Sequence, residues 1–246
     1  MNRLRKFLLL AALLSSAALC AGSLEGLQRG LATQGVVAPW QGFALGEALR
    51  YKLIWPSGVS LGEALLAVSP ADNGVRFELS VEADLPIHNI IDSLTSVATP
   101  DALCSLQSQK KIQEGAKKTA ESIEFDQKAH QARRTSGGQT ASFPIPDCAR
   151  DPLTFLYYFR SQLAAGSPAN LHTFYSVTGH SLEVKALGPE TVSAGGRRRP
   201  ADKYFVTYHR PNSAVTFEVW FSEDARREPL LIRLSTTLAV FSAELQ

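Results

Sequence analysis

The stretch Cys148-Ala149-Arg150-Asp151-Pro152-Leu153-Thr154-Phe155-Leu156-Tyr157-Tyr158-Phe159-Arg160-Ser161-Gln162-Leu163 decides the fold. Asp151 offers a side-chain acceptor to the orphan N–H groups of a helix start, and Pro152 suits the first helical position, where its missing N–H costs nothing. Beyond them Leu153, Leu156, Tyr157 and Leu163 share one stripe while Phe155 and Phe159 cover another, so the helix is apolar on nearly every side and is predicted to be buried. Gly166 and Pro168 stop it.

On both sides of this helix the chain alternates. Leu49, Tyr51, Leu53 and Trp55 alternate with Ala48, Arg50, Lys52 and Ile54, the period of a half-buried strand. Pro56-Ser57-Gly58 turns the chain, Gly62, Ala64, Leu66 and Val68 can face one way, and Asp72-Asn73-Gly74 tolerates the positive φ of a tight hairpin. Val75, Phe77, Leu79 and Val81 form a third strand of a meander. Between Pro86 and Pro100, Ile90, Ile91, Leu94 and Val97 are spaced as a short helix or a bent strand. Further strands are read at 105–112, 121–126 and 132–135, with Ser136-Gly137-Gly138-Gln139 as loop. After the helix the pattern returns at 172–177, 182–187, 203–209, 215–221, 230–234 and 237–244, broken at Gly179, Gly188-Pro189, Gly195-Gly196 and Pro211-Asn212-Ser213. The expected fold is mainly β: a curved antiparallel sheet or half-open barrel of about ten strands packed on one buried helix.

The first residues address the compartment. Arg3, Arg5 and Lys6 form a basic region ahead of an apolar run from Phe7 to Leu19, the pattern of a secretory signal. A membrane span needs about 20 apolar residues, and this run is shorter and ends in small residues. Residues 1–21 are read as a signal peptide, 22–42 as an N-terminal lead and 43–246 as a single β-rich domain. Cleavage after Ala21 is the simplest processing; the alternative is a lipid anchor at Cys20, since Ala17-Ala18-Leu19-Cys20 approximates a lipobox. Of 25 basic and 23 acidic residues the signal takes three basic ones and no acidic one, which leaves 22 against 23. The basic balance therefore belongs to the targeting segment and gives no argument for nucleic acid. Cys104 and Cys148 remain, and in an exported chain they most simply form one disulfide. Two free thiols or a metal pair are the alternatives, and neither cysteine has a Cys or His at ligand spacing.

Chemistry-bearing patterns are sparse. His88, His130, His172, His180 and His209 form no HxH or HExxH arrangement, although His172 and His209 can meet across a sheet. There is no Gly-x-Ser-x-Gly elbow and no phosphate-binding glycine loop, so a hydrolase is the weakest reading and no catalytic residue, metal site or cofactor is assigned. Arg197, Arg198 and Arg199 can contact anionic headgroups at a hairpin tip, or serve as a solvated turn. The helix side chains Leu153, Leu156, Tyr157 and Phe159 can line an apolar site against the sheet, or simply fill the core.

Three separated segments carry a family resemblance: Phe43-x-x-Gly46-Glu47-x-Leu49-x-Tyr51, the helix from Asp151 to Arg160, and Trp220-Phe221-Ser222-x-Asp224-x-Arg226-Arg227-x-Pro229. In order and spacing they resemble the bacterial exported family called domain of unknown function 3108, over most of residues 43–245. The resemblance implies a cell-envelope protein of antiparallel β-structure with no catalytic residues to carry over. A more distant likeness, by fold analogy alone, is to the half-open sheets of periplasmic lipoprotein carriers. The Gly195-to-Arg199 loop matches no family motif. Two functions are expected from these readings: a non-enzymatic periplasmic protein binding a lipid, lipoprotein or other apolar ligand between sheet and helix, or an interaction protein docking an envelope complex or membrane surface.

Overall fold

The computed structural model describes residues 40–84, 89–167, 174–176, 180–210, 213–235 and 240–246, with the side chains of 174–176, 180, 210 and 213 excepted. The stretch 1–21 read as a signal peptide, with Cys20, the residues from 22 to 39, and His88 and His172 lie outside the described residues. The first half of the chain forms β1 (Ala48–Ile54), β2 (Ser60–Ala71), β3 (Gly74–Asp84), β4 (Asn89–Ala98), β5 (Ser105–Glu114), β6 (Lys117–Asp126), β7 (Gln131–Ser136) and β8 (Gln139–Pro144). Helix α1 (Pro152–Ala164) follows, and then β9 (Phe174–Ser176), β10 (His180–Ala194), β11 (Arg197–Arg210), β12 (Ser213–Ser222), β13 (Pro229–Ser235) and β14 (Val240–Leu245).

Each half is an antiparallel meander, and β1 pairs with β14, so among the described residues the two halves join into one sheet of fourteen strands with β8 and β9 at its edges. The sheet is not closed, and it has more strands than the sequence pattern predicts. The alternation holds where it was clearest: Leu49, Tyr51, Leu53, Ala64, Leu66, Val68, Val75, Phe77 and Val81 are all buried on the concave face. The ambiguous segment before Pro100 is the regular strand β4, in which Ile90 is buried while Ile91 is exposed. Gly137 and Gly138, both at positive φ, make the two-residue turn of the β7–β8 hairpin rather than a loop. At Gly188 the backbone bulges instead of turning, and β10 continues to Ala194.

Helix α1 starts where Asp151 places it. The Asp151 carboxylate is buried and accepts from the backbone N–H groups of Leu153 (2.9 Å) and Thr154 (3.2 Å) and from the hydroxyls of Thr154 (2.7 Å), Ser96 (2.7 Å) and Ser105 (2.6 Å). The cap thus fastens the helix start to β4 and β5 as well as completing its first turn. A disulfide between Cys104 and Cys148 ties the same two chain segments together just upstream.

The helix then crosses the concave side of the sheet. Leu153 and Tyr157 pack into a core formed with β1 to β5 and with residues of β10 to β14 such as Ala201, Trp220 and Leu231, whereas Phe155, Phe159 and Leu163 pack into a second core formed with β10 to β13. Leu163 therefore sides with the two phenylalanines and not with Leu153, and half-buried Leu156 touches both cores.

Candidate functional site

Between α1 and the sheet the described residues line an apolar cavity of about 150 Å³. Its walls come from both halves: Leu66, Leu79 and Leu94 on one side, Val184, Val219 and Leu234 on the other, with the helix as roof. Of the residues expected to form a ligand site, Leu153, Leu156 and Phe159 line this cavity. Tyr157 lies outside its lining; its ring stacks on Phe77 at 4.1 Å between centroids and meets the edge of Phe43 at 5.0 Å. Tyr51 is the one lining residue with a polar side-chain atom, and its hydroxyl donates to the Pro229 carbonyl oxygen at 2.8 Å. Burial holds that phenol well above its ordinary pKa, so it stays protonated and its polarity is spent within the protein.

At the far end of the helix Arg160 is completely buried. Its guanidinium donates to both Glu47 carboxylate oxygens (2.6 and 3.0 Å) and to the carbonyls of Gly42 (2.8 Å), Arg226 (3.1 Å) and Arg227 (3.1 Å). Gly42 is needed for this approach: its φ is +84°, and a Cβ there would sit 2.8 Å from the Arg160 carbonyl oxygen. Desolvation opposes the buried cation, and the Glu47 bonds outweigh it, so the guanidinium pKa is raised. This centre was not legible as such, although a lone arginine on the buried face of an apolar helix is a signal that it has a partner.

Arg197 and Arg198 are exposed at the β10–β11 hairpin tip, while Arg199 is half-buried and pairs with Asp224 (3.1 Å) and Glu228 (3.0 Å) in the β12–β13 connection. The expected arginine trio is thus divided between solvent and an internal ion pair. His209 lies 3.3 Å from Glu183 and His130 3.0 Å from Asp147, both exposed pairs. Among the described residues no cluster of three or more His, Cys, Asp and Glu side chains has metal-binding geometry.

The segments that carry the family resemblance meet at Arg160, which bonds Glu47 from the first and Arg226 and Arg227 from the third, while Tyr51 of the first bonds Pro229 of the third. Residues 49–246 match the family described as Protein of unknown function (DUF3108). The chain belongs to the DUF3108 family.

Among solved structures, the DUF3108 chain is similar to the β-barrel-like DUF1849 protein of Brucella abortus, with a TM-score of 0.59 and 8% identity over 82% of this chain and 96% of that one. That likeness supports the half-open, barrel-like reading of the sheet. More distant similarities are to the hypothetical lipoprotein YmcC of Escherichia coli K12 (TM-score 0.31, 11% identity, 83% of this chain and 88% of that one) and to a YmcC-like protein of Bacteroides fragilis (TM-score 0.32, 11% identity, 85% and 97%). No curated protein matches the DUF3108 chain.

Proposed function

We propose that this chain is an exported, non-enzymatic protein of the bacterial cell envelope that holds an apolar group, such as the acyl chain of a lipid or lipoprotein, between α1 and the concave sheet. The observation that carries the reading is the cavity: about 150 Å³ of apolar-walled space under a helix that touches both halves of the sheet. Protein interiors are normally packed to the density of organic crystals, and an apolar void of this size stays dry and takes up small apolar molecules. Export is supported by the basic start and apolar run of residues 3–19, with a periplasmic destination and either cleavage after Ala21 or a lipid at Cys20.

Delipidated protein is expected to take up a small uncharged fluorescent hydrocarbon, naphthalene. Ala243 lines the cavity on β14, and Ala243→Leu fills part of it. The substitution is expected to weaken uptake about tenfold or more while destabilising the fold by only about 1–3 kcal/mol through overpacking. Equal uptake by the two proteins, or none by either, would remove the cavity from the account.

Exposed Arg197 and Arg198 favour a second reading, contact with an anionic membrane surface. Basic side chains near such a surface contribute about 1 kcal/mol each. Replacing both by alanine is therefore expected to weaken binding to vesicles rich in anionic phospholipid, an effect lost at high salt. Unchanged binding would leave the hairpin as a solvated turn.

A further inference from the structure

One group on the concave face has no use in the fold. Asp92 sits in β4 between Ile90 and Leu94, facing inward, and is 1% exposed. Its cross-strand neighbours are Val81 on β3 and Ile112 on β5, both buried and apolar. Among the described residues neither carboxylate oxygen has a hydrogen-bond partner. A carboxylate buried in this way loses its hydration and receives nothing in return, which is why buried acids are ordinarily paired. Asp151, on the neighbouring helix start, shows the contrast with its five donors.

The position ties this orphan acceptor to the cavity. Val81 beside it and Leu94 two residues along the same face both line the cavity, and Asp92 lies next to them on that face, just outside the lining itself. We infer that the ligand is an amphipath, its apolar part filling the cavity and an ammonium at its head pairing with the two unpartnered oxygens of Asp92, which releases its proton as the pair forms. This rests on the cavity reading above and adds the polarity of the ligand to it.

A cation is preferred to an anion for a reason that is also on this face. Glu114 and Lys110, both on β5, act on Asp92 with opposite sign, and Glu114 has the larger effect, so the potential at the carboxyl favours positive charge. A carboxylate head would meet two acids; an ammonium supplies the donors that both Asp92 oxygens lack.

Calorimetric titration with four small probes tests this. Benzene has no head and reports the cavity alone, while hexylamine, hexanol and hexanoic acid differ only in the head. The wild-type protein is expected to bind hexylamine at least about tenfold more tightly than hexanoic acid, with hexanol between them. Asp92→Asn and Asp92→Leu are expected to abolish that preference and leave benzene binding unchanged. Hexylamine binding no tighter than hexanoic acid, or a preference that survives both substitutions, overturns the role of Asp92 while the benzene result keeps the cavity. Failure of benzene and of all three chains to bind the wild-type protein overturns both.

Discussion

Replacing Arg160 by methionine is expected to destabilise the protein by about 3–5 kcal/mol, the range for breaking a buried ion pair by removing one partner. The side chain is fully buried and makes five hydrogen bonds, to Glu47 and to three backbone carbonyls from two distant parts of the chain. Methionine fills a similar volume, so the loss is chiefly electrostatic: Glu47 keeps its charge with the partner gone, and three carbonyls lose their donor. Arg160→Lys is expected to rescue little, because a single ammonium cannot reproduce a planar fork that reaches both carboxylate oxygens and the carbonyls together. Glu47→Gln keeps the acceptor oxygen for the guanidinium and removes the negative charge that offsets its burial, so it is expected to fall between wild type and Arg160→Met. Urea denaturation of the three variants checks the order. A shift below about 1 kcal/mol for Arg160→Met would show that this centre does not hold the helix to the sheet.

The second large effect runs in the opposite direction. Burial, with Glu114 adding to it and Lys110 opposing it, raises the Asp92 carboxyl from an ordinary 3.8 to about 8. The other side chains facing it, Val81 and Ile112 across the strands and Ile90 and Leu94 along its own, are apolar. Between these two pH values the folded chain holds a proton that the unfolded chain has released, so the folded state binds more protons and stability falls as pH rises. The slope attributable to this group is about 1.4 kcal/mol per pH unit. Asp92→Asn removes the titration and keeps the shape. It is expected to be more stable than wild type by roughly 2–4 kcal/mol near neutral pH, with the difference vanishing below the ordinary carboxylate pKa. Denaturant midpoints of both proteins across that range measure it. A destabilised Asp92→Asn at neutral pH would mean that the carboxylate has a structural partner, and the ligand role argued for it would lose its basis. A residue kept at a cost to stability is characteristic of a functional position.

How much of this was readable beforehand varies with the physics of each segment. β1, β2 and β3 each bury one face against an apolar core, so period-2 alternation exposed them and the residues they bury. The wing from β5 to β8 was harder, because few of its side chains are buried on either face; β8 is almost wholly exposed, and without burial there is no alternation to read. Gly188-Pro189 signals a turn locally, yet the tertiary pairing of β10 with β11 absorbs it as a bulge. The helix and its cap were legible because Asp151-Pro152 is a local signal, as was the cysteine pair, which had few alternatives. Arg160 with Glu47 was not, since the two are 113 positions apart and only the folded chain brings them together. Asp92 had a weak signal: it occupies the same parity as Ile90, Leu94 and Ala98, and parity places it inside once β4 is known to be a strand.

The cavity itself lay beyond sequence reading. Leu153, Leu156 and Phe159 are equally at home in a filled core, and only the spacing between α1 and the two halves of the sheet leaves room beneath them. The central claim is that this room is for a ligand. Native mass spectrometry of the protein isolated from a bacterial envelope, before and after delipidation, tests it most directly. The account predicts a bound amphipathic small molecule that delipidation removes and re-addition restores, and that Ala243→Leu fails to retain. A protein that carries only its own mass in both samples, with the cavity intact, would contradict it.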